Sequence, residues 1–196
     1  MDSMIELFAA GQWHRAATLS VTPNSVRFEY LPEYVFGEGA WPVALSLPVD
    51  METRTAGLGA AGTPLAFLWD LVPQGRGRQY LAGLLELSDQ EVSQDLPLAQ
   101  HGAFAPIGRL RLDTAVRFYR RHTGEAPAAG FTTEDMTHRA DAFLEQLALH
   151  SMLAAGTPGV QGVAPKFLLT QDAEERWYPD VALPDTKARQ HWIVKL

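Results

Sequence analysis

Two stretches within residues 4–49 alternate between apolar and polar positions, as strands do when one face is buried. Apolar side chains occupy every second position across Val26–Tyr30 and again across Val43–Leu47, which is the period of a half-buried strand. Another apolar run begins at Ile5, and the turn-forming residues Thr22–Ser25 follow it. We therefore predict short strands and turns here, and then a mobile, glycine-rich loop over residues 50–62.

A helical period replaces the strand pattern after this loop. Pro64 favours the first position of a helix that starts at Thr63 and ends at Pro73, with one apolar face formed by Leu65, Leu68, Trp69 and Val72. A second helix is predicted over Arg76–Leu87, with its inward positions at Tyr80, Leu81, Leu84 and Leu85. The spacing of Ser88–Glu91 is that of a capping box, which opens a further short helix.

The middle of the chain contains a strand, an ambiguous segment and a linker. Apolar positions within Ile107–Leu112 predict a strand, whereas Asp113–His122 fits either an exposed helix or an extension of that strand. Small residues, glycine and proline fill Thr123–Gly130, which is typical of a linker. We therefore divide the chain into residues 1–122 and residues 131–196.

The second part begins with the longest predicted helix. Thr132 and Asp135 have the spacing of an N-terminal cap, and the helix is predicted over about Thr133–Leu153, with a buried stripe at Met136, Ala140, Phe143, Leu144 and Leu147. The apolar run Phe167–Leu169 and the β-branched run His191–Leu196 each predict a strand. Between them, Trp177 and Tyr178 predict a hairpin.

Candidate chemistry lies between this helix and these strands. Gly156, Gly159 and Gly162 precede Lys166, and successive backbone amides in a glycine-rich loop can form a concave anion site. A phosphate-binding loop followed by a strand that carries a lysine, here Lys195, is how kinases hold a nucleotide. A surface loop beside two ordinary strands accounts for the same spacing, since a glycine-rich loop alone is a weak signal.

Composition narrows the possible classes. The 196 residues include no cysteine, which excludes a disulfide framework and thiol catalysis, and the net charge of −7 argues against direct binding of nucleic-acid backbone. We find no secretory signal and no apolar run that could cross a bilayer, so a soluble cytoplasmic protein is expected. The scattered histidines predict no metal site.

Several segments together carry a family resemblance. Gly162–Lys166 resembles the G-x-Q-P-K loop of HipA-like serine/threonine kinases, the toxin components of HipAB-type toxin–antitoxin systems, and Trp192–Leu196 resembles that family's W-I-x-K strand. Ala44–Pro48 is similar to its L-S-L-P segment, and Phe67–Gly75 to its F-x-x-N-L-L-P-E-G segment. Gly102–Leu112 is similar to the glycine-containing strand that closes its small N-terminal subdomain. These matches follow the family's order and span nearly the whole chain.

The resemblance implies an α+β fold with two parts. Residues 1–122 would form a small β-rich N-terminal subdomain with helices, and residues 131–196 would form the helix, glycine-rich loop and first strands of a kinase-like N-lobe. The residues that it implies for ATP binding are Gly159, Gly162, Val163, Ala164, Lys166 and Lys195. Two of these depart from the family pattern: Ala164 replaces the usual glutamine, and Gly159 stands nearest to the loop serine that many members autophosphorylate.

The same resemblance implies that the catalytic parts lie elsewhere. A protein kinase needs an aspartate that orients the attacking hydroxyl and ligands for Mg²⁺, and in the family these follow the lysine strand. The sequence contains no H-R-D-like or D-F-G-like segment. We therefore expect an inactive N-terminal fragment of an ATP- and Mg²⁺-dependent kinase that phosphorylates a protein substrate. The alternative is a non-catalytic interaction module that docks a HipB-like antitoxin, itself DNA-binding, or restrains a kinase.

Overall fold

The computed structural model describes residues 2–22, 25–57, 65–87, 94–104, 108–123, 129–145, 147, 166–180 and 182–195, with residues 76 and 166 described by their backbone alone. It contains helices and two antiparallel sheets, so the predicted α+β class is confirmed. Among the described helices, none combines the length and apolar character that a membrane crossing requires.

The larger sheet has five strands in the order β4-β3-β2-β1-β5. Its strands are β1 (Asp2–Ala9), β2 (Gln12–Val21), β3 (Ser25–Tyr30), β4 (Arg54–Gly57) and β5 (Leu110–Leu112). The alternation predicted for β3 is confirmed, because Val26, Phe28 and Tyr30 are all buried while Arg27 is exposed. Strand β4 corrects the predicted loop over residues 50–62: its small residues carry no apolar signal, and it joins the sheet through backbone pairing with β3.

The segment Val43–Leu47 is not a strand, although its apolar positions alternate. Ala44 and Leu47 form an isolated bridge, and the side chain of Leu45 is fully exposed. The buried hydroxyl of Tyr30 fixes this segment, since it donates to the Leu47 carbonyl (2.7 Å) and accepts from the Val43 amide (2.8 Å). A single tyrosine in β3 therefore supplies the partners that a neighbouring strand would otherwise provide.

Helices cover one face of the five-stranded sheet. They are α1 (Pro32–Val35), a 3₁₀ helix (Ala66–Leu71), α2 (Gly75–Leu84), α3 (Asp95–Gly102) and α4 (Asp113–Thr123). The ambiguous segment is thus the helix α4, whose buried residues include Val116 and Tyr119. Three predicted inward positions are wrong, because Trp69, Tyr80 and Leu84 are exposed.

Two of the family-like segments meet in the core. Gly102 ends α3 against Pro73, so closely that a methyl group at residue 102 would lie 2.1 Å from the Pro73 Cγ atom and 3.0 Å from a Leu81 methyl carbon. Only glycine leaves room for this contact. The segments Phe67–Gly75 and Gly102–Leu112 are therefore structural partners.

The predicted long helix is interrupted. Helix α5 (Thr133–Thr137) begins with the predicted capping box of Thr132 and Asp135, but it ends at His138, and residues 141–145 are helical again after Arg139, whose φ is +52°. The apolar stripe survives the break, since Phe143 and Leu147 are buried and Met136 and Ala140 pack beside them. Leu144, by contrast, is exposed.

The second sheet has three strands in the order β7-β6-β8. These are β6 (Lys166–Gln171), β7 (Trp177–Pro179) and β8 (Gln190–Lys195), so both predicted strands and the predicted hairpin are confirmed. A small core on one face of this sheet contains Leu169 and Trp177, together with Phe143 and Leu147 from the helical segment.

Candidate functional site

The two predicted lysine positions are direct neighbours in the three-stranded sheet. The antiparallel ladder between β6 and β8 pairs Lys166 with Lys195. Directly opposite positions of an antiparallel pair share one face of the sheet. The fold therefore brings together two positions that are 29 residues apart in sequence. The other predicted nucleotide-binding residues, Gly159, Gly162, Val163 and Ala164, lie outside the described residues.

These positions lie on the face of the sheet opposite the small core. Phe167, Leu169 and Val194 pack with the helical segment, and successive residues of a strand point to opposite faces. Positions 166 and 195 therefore share the other face with Leu168, Ile193 and His191. Leu168 packs against the core of the five-stranded sheet, whereas Ile193 and Lys195 are exposed. An exposed ammonium group at this end of the sheet can bind a phosphate as a point charge.

A polar cluster lies farther along the same face. The Thr170 hydroxyl donates to the Asp180 carboxylate at 2.6 Å, and His191 Nδ1 lies 3.0 Å from the same carboxylate oxygen. This hydrogen bond, reinforced by the charges of Asp180 and Asp185, raises the pKa of His191 above its ordinary value, against the opposing effects of burial and of Arg111. The cluster links β6, which carries Thr170, and β8, which carries His191, with Asp180, the residue that follows β7.

Arg111 is a charged group that the sequence analysis did not identify. It lies on β5, is only 5% exposed, and forms ion pairs with Glu6 (2.6 Å) and Asp185 (2.8 Å). Its guanidinium also lies 4.0 Å from the centre of the Trp13 ring. Burial alone would lower the pKa of Arg111, but the hydrogen bonds that Arg111 donates to Asp185 and Glu6 outweigh burial and raise the pKa. The arginine is therefore permanently charged at the junction of the two sheets.

The sequence contains one pattern from which the position of Arg111 in the sheet could have been predicted. Arg111 alternates with Leu110 and Leu112, so a strand at this place puts the arginine on the face opposite the leucines. Its partners could not be found in the same way, because Glu6 and Asp185 are 105 and 74 residues away.

Within the described part of the chain, no three His, Asp or Glu side chains converge as a metal site would require.

Comparison with known proteins identifies the first part of the chain. No curated protein matches the sequence. The family model for the HipA N-terminal domain matches residues 9–113, which is more than half of the chain. The matched region contains the packed segments Phe67–Gly75 and Gly102–Leu112 and the tyrosine-anchored segment Val43–Leu47. The chain therefore belongs to the HipA-like family, of which it carries the N-terminal portion.

Proposed function

We propose that this chain supplies the nucleotide-phosphate-binding part of a HipA-like protein serine/threonine kinase of the toxin–antitoxin type. The proposal divides the chain into the N-terminal subdomain, residues 1–122, and the start of a kinase-like N-lobe, residues 131–196. The observation that carries it is the pairing of positions 166 and 195 on one face of the small sheet. Family membership supports it independently.

The chemistry assigned to these residues is charge neutralisation and positioning, which are the main protein contributions to phosphoryl transfer. The backbone amides around Gly159 and Gly162 would face the nucleotide phosphates, and Lys166 and Lys195 would bind their oxygens. Mg²⁺, when bound, would neutralise the β- and γ-phosphates. We assign the catalytic and metal-binding aspartates to a separate lobe of the parent kinase. The chain alone is therefore expected to bind Mg-ATP without transferring its phosphate to a protein substrate.

Calorimetric titration with Mg-ATP tests this function. Lys195→Ala removes one charge-assisted hydrogen bond to phosphate and is expected to weaken binding by about 10- to 100-fold, corresponding to roughly 1.5–3 kcal/mol. Lys187→Ala is the matched control, because Lys187 is also exposed but lies in the turn before β8. Equal effects of the two substitutions, or no heat with the unaltered chain, would refute the assignment.

A second candidate function is docking of a HipB-like antitoxin by the N-terminal subdomain. The observation that favours it is a segment with several exposed large apolar side chains, within the region that matches the family: Phe36, Trp41, Leu45 and Met51. Exposed apolar side chains grouped in this way are typical of a protein-binding surface. The segment is held in place by Tyr34, whose hydroxyl bonds to the backbone of Trp41.

Size-exclusion chromatography with a HipB-like antitoxin tests docking. The double substitution Phe36→Ser with Leu45→Ser is expected to abolish co-elution, because it removes the apolar contact area without altering the core. Leu84→Ser, at an exposed position on α2, should leave the complex intact. Co-elution that survives the double substitution would exclude this segment as the docking surface.

A further inference from the structure

We infer that Arg111 is a positioning residue for the lysine strand: through Asp185 it fixes β8, and with it Lys195, against the N-terminal subdomain. The inference rests on the proposed function, in which Lys195 binds a nucleotide phosphate. It adds a contact between the HipA N-terminal domain, which contains Arg111, and strand β8, which lies outside the matched residues 9–113.

The N-terminal end of this connection is built from paired positions on β1 and β5. Glu6 and Phe8 alternate with the buried Ile5 and Leu7 on β1, so they lie on the face of the five-stranded sheet that the helices do not cover. The ladder pairs Glu6 with Arg111, and the β1–β2 register shifts between Ile5 and Glu6. Such an irregularity re-aims neighbouring side chains. Arg111 is thus held between a carboxylate and the Trp13 ring before it reaches the second sheet.

The other end of the connection lies immediately before the lysine strand. Arg111 makes two parallel bonds to the Asp185 carboxylate, at 3.2 and 2.8 Å, which is the geometry that gives an arginine pair directional specificity. Asp185 belongs to a tight turn, in which the amides of Lys187 and Ala188 both bond to the Pro184 carbonyl. The next amide, of Arg189, bonds to Gln171 on β6 at 2.9 Å. This hydrogen-bonded turn therefore leads directly into β8.

A second contact holds β8 at its beginning. The His191 ring packs edge-on against Phe8, with ring centres 6.1 Å apart, and bonds to Asp180. His191 and Lys195 lie on the same face of the strand, four residues apart. The beginning of β8 is thus tied to the larger sheet at Asp185 and at His191. Its far end, with Ile193 and Lys195, is exposed.

As a consequence of these contacts, the position of Lys195 is restricted before a nucleotide binds. β8 borders β6 on one side only and is an edge strand of the described sheet. A strand with few buried contacts opens locally at low cost. Fixing its beginning lowers the number of positions that Lys195 samples, and this pre-organisation strengthens binding without a new contact to the ligand.

Asp185→Asn tests the inference, because it removes the negative charge and one of the two acceptor oxygens that bond to Arg111 and leaves the pairing of Arg111 with Glu6 in place. Hydrogen exchange of the amides in residues 186–195 is expected to accelerate, and Mg-ATP affinity to fall, each by about fivefold, as for a partly exposed ion pair. The direction of the change in Mg-ATP affinity distinguishes lost positioning from a simple change in charge. Loss of a negative charge near a phosphate site would by itself tighten ATP binding, so weaker binding indicates lost positioning.

Three further variants complete the test. Asp185→Glu keeps the carboxylate and should restore most of the affinity. Asp50→Asn breaks the ion pair with Arg54, which lies at the far edge of the five-stranded sheet, and should change neither quantity. The double variant of Asp185→Asn with Lys195→Ala should bind no more weakly than Lys195→Ala alone, because the aspartate acts through the lysine.

The outcomes separate the two proposals. Unchanged exchange in β8, tighter ATP binding in Asp185→Asn, or additive losses in the double variant would overturn the positioning role while leaving nucleotide binding intact. If the unaltered chain binds no Mg-ATP, the proposed function fails, and with it the role of Arg111 toward the nucleotide. The exchange data would then still decide whether Arg111 holds the strand.

Discussion

Among the residues that the structure describes, the five-stranded and three-stranded sheets differ in how many buried apolar side chains support them. Behind the larger sheet, Ile5, Leu19 and Phe28 are inaccessible to solvent, and the stacked rings of Phe104 and Tyr119 lie 4.1 Å apart. Behind the smaller sheet, the buried core residues within the described part of the chain are Phe143, Leu147, Leu169 and Trp177. Its edge strand β8 exposes Trp192 and Ile193.

This difference separates the residues that define the family from those to which we assign chemistry. The family match covers residues 9–113 and therefore most of the large core, where packing restricts each side chain. The paired lysine positions lie on the sheet with the small core. A binding element of low intrinsic stability needs support from outside itself, and the ion pair of Arg111 with Asp185 is where the larger sheet provides it.

The largest effect is expected from Phe28→Ala, in the core of the five-stranded sheet. The Phe28 ring is fully buried and contacts Tyr30 and Phe67. Its removal should lower the free energy of unfolding by about 3–5 kcal/mol, measured by urea denaturation followed by far-UV circular dichroism. Phe36→Ala, at a ring that is 79% exposed, should change stability by about 0.5 kcal/mol or less. Similar losses in the two variants would contradict the location of this core.

A somewhat smaller and more local effect is expected from Leu169→Ala, in the central strand of the smaller sheet. Leu169 is fully buried, and truncation should cost about 2–5 kcal/mol. Hydrogen exchange should accelerate in β6 and β8 while the amides of β1–β3 keep their protection. Ile193→Ala, at an exposed position of the same sheet, is the control. Equal acceleration in both sheets would mean that they unfold as one unit, and the contrast between them would then be lost.

Gly102→Ala tests the contact between two family-like segments and should cost about 1–3 kcal/mol, the range for overpacking a core. The added methyl group would overlap the rigid Pro73 ring. The matched substitution Gly83→Ala, on exposed α2 with open space at its Cβ position, should instead stabilise the helix by up to about 1 kcal/mol. Thermal unfolding of the two variants should shift in opposite directions. A neutral Gly102→Ala would show that the two segments do not pack as described.

Sequence patterns predicted elements well where one local signal decided the structure. β3 follows from alternation, and the beginning of α5 follows from the capping box of Thr132 and Asp135. Prediction failed where distant partners decided. Val43–Leu47 alternates like a strand but is held by Tyr30, and the break at Arg139 has no glycine or proline to signal it. The sequence patterns missed β4 because its small residues contribute backbone pairing with β3 more than apolar packing.

The candidate site shows the same division. The strands that carry Lys166 and Lys195 were predictable from short apolar runs, and the register between them came only from the structure. The assignment of these lysines and of the glycine-rich loop to a nucleotide stays a prediction. Arg111 could not be assigned a role from sequence, because its charge is compensated by residues from opposite ends of the chain. No local pattern encodes such a pairing.

The smallest effect, and the sharpest test of the junction between the sheets, is the pH dependence carried by His191. Its pKa is raised above 6.5, chiefly by the hydrogen bond to Asp180, so the folded state binds the proton more tightly than the unfolded state. The resulting stabilisation is complete below pH 6.5 and is lost as the pH rises through the raised value. Because the ring is partly exposed, we expect about 1 kcal/mol or less.

Urea denaturation at a series of pH values, compared between the unaltered chain and His191→Gln, measures this contribution. Four groups act on the ring besides Asp180: Asp185 favours its charge, Arg111 opposes it, Thr170 bonds to it and Phe8 packs against it. Only the difference between the two proteins is therefore informative. This difference in the free energy of unfolding should shrink as the pH rises. A difference for His191→Gln that grows toward alkaline pH would mean that the neutral ring is the form the junction prefers, and the hydrogen bond to Asp180 would not be the contact that holds it.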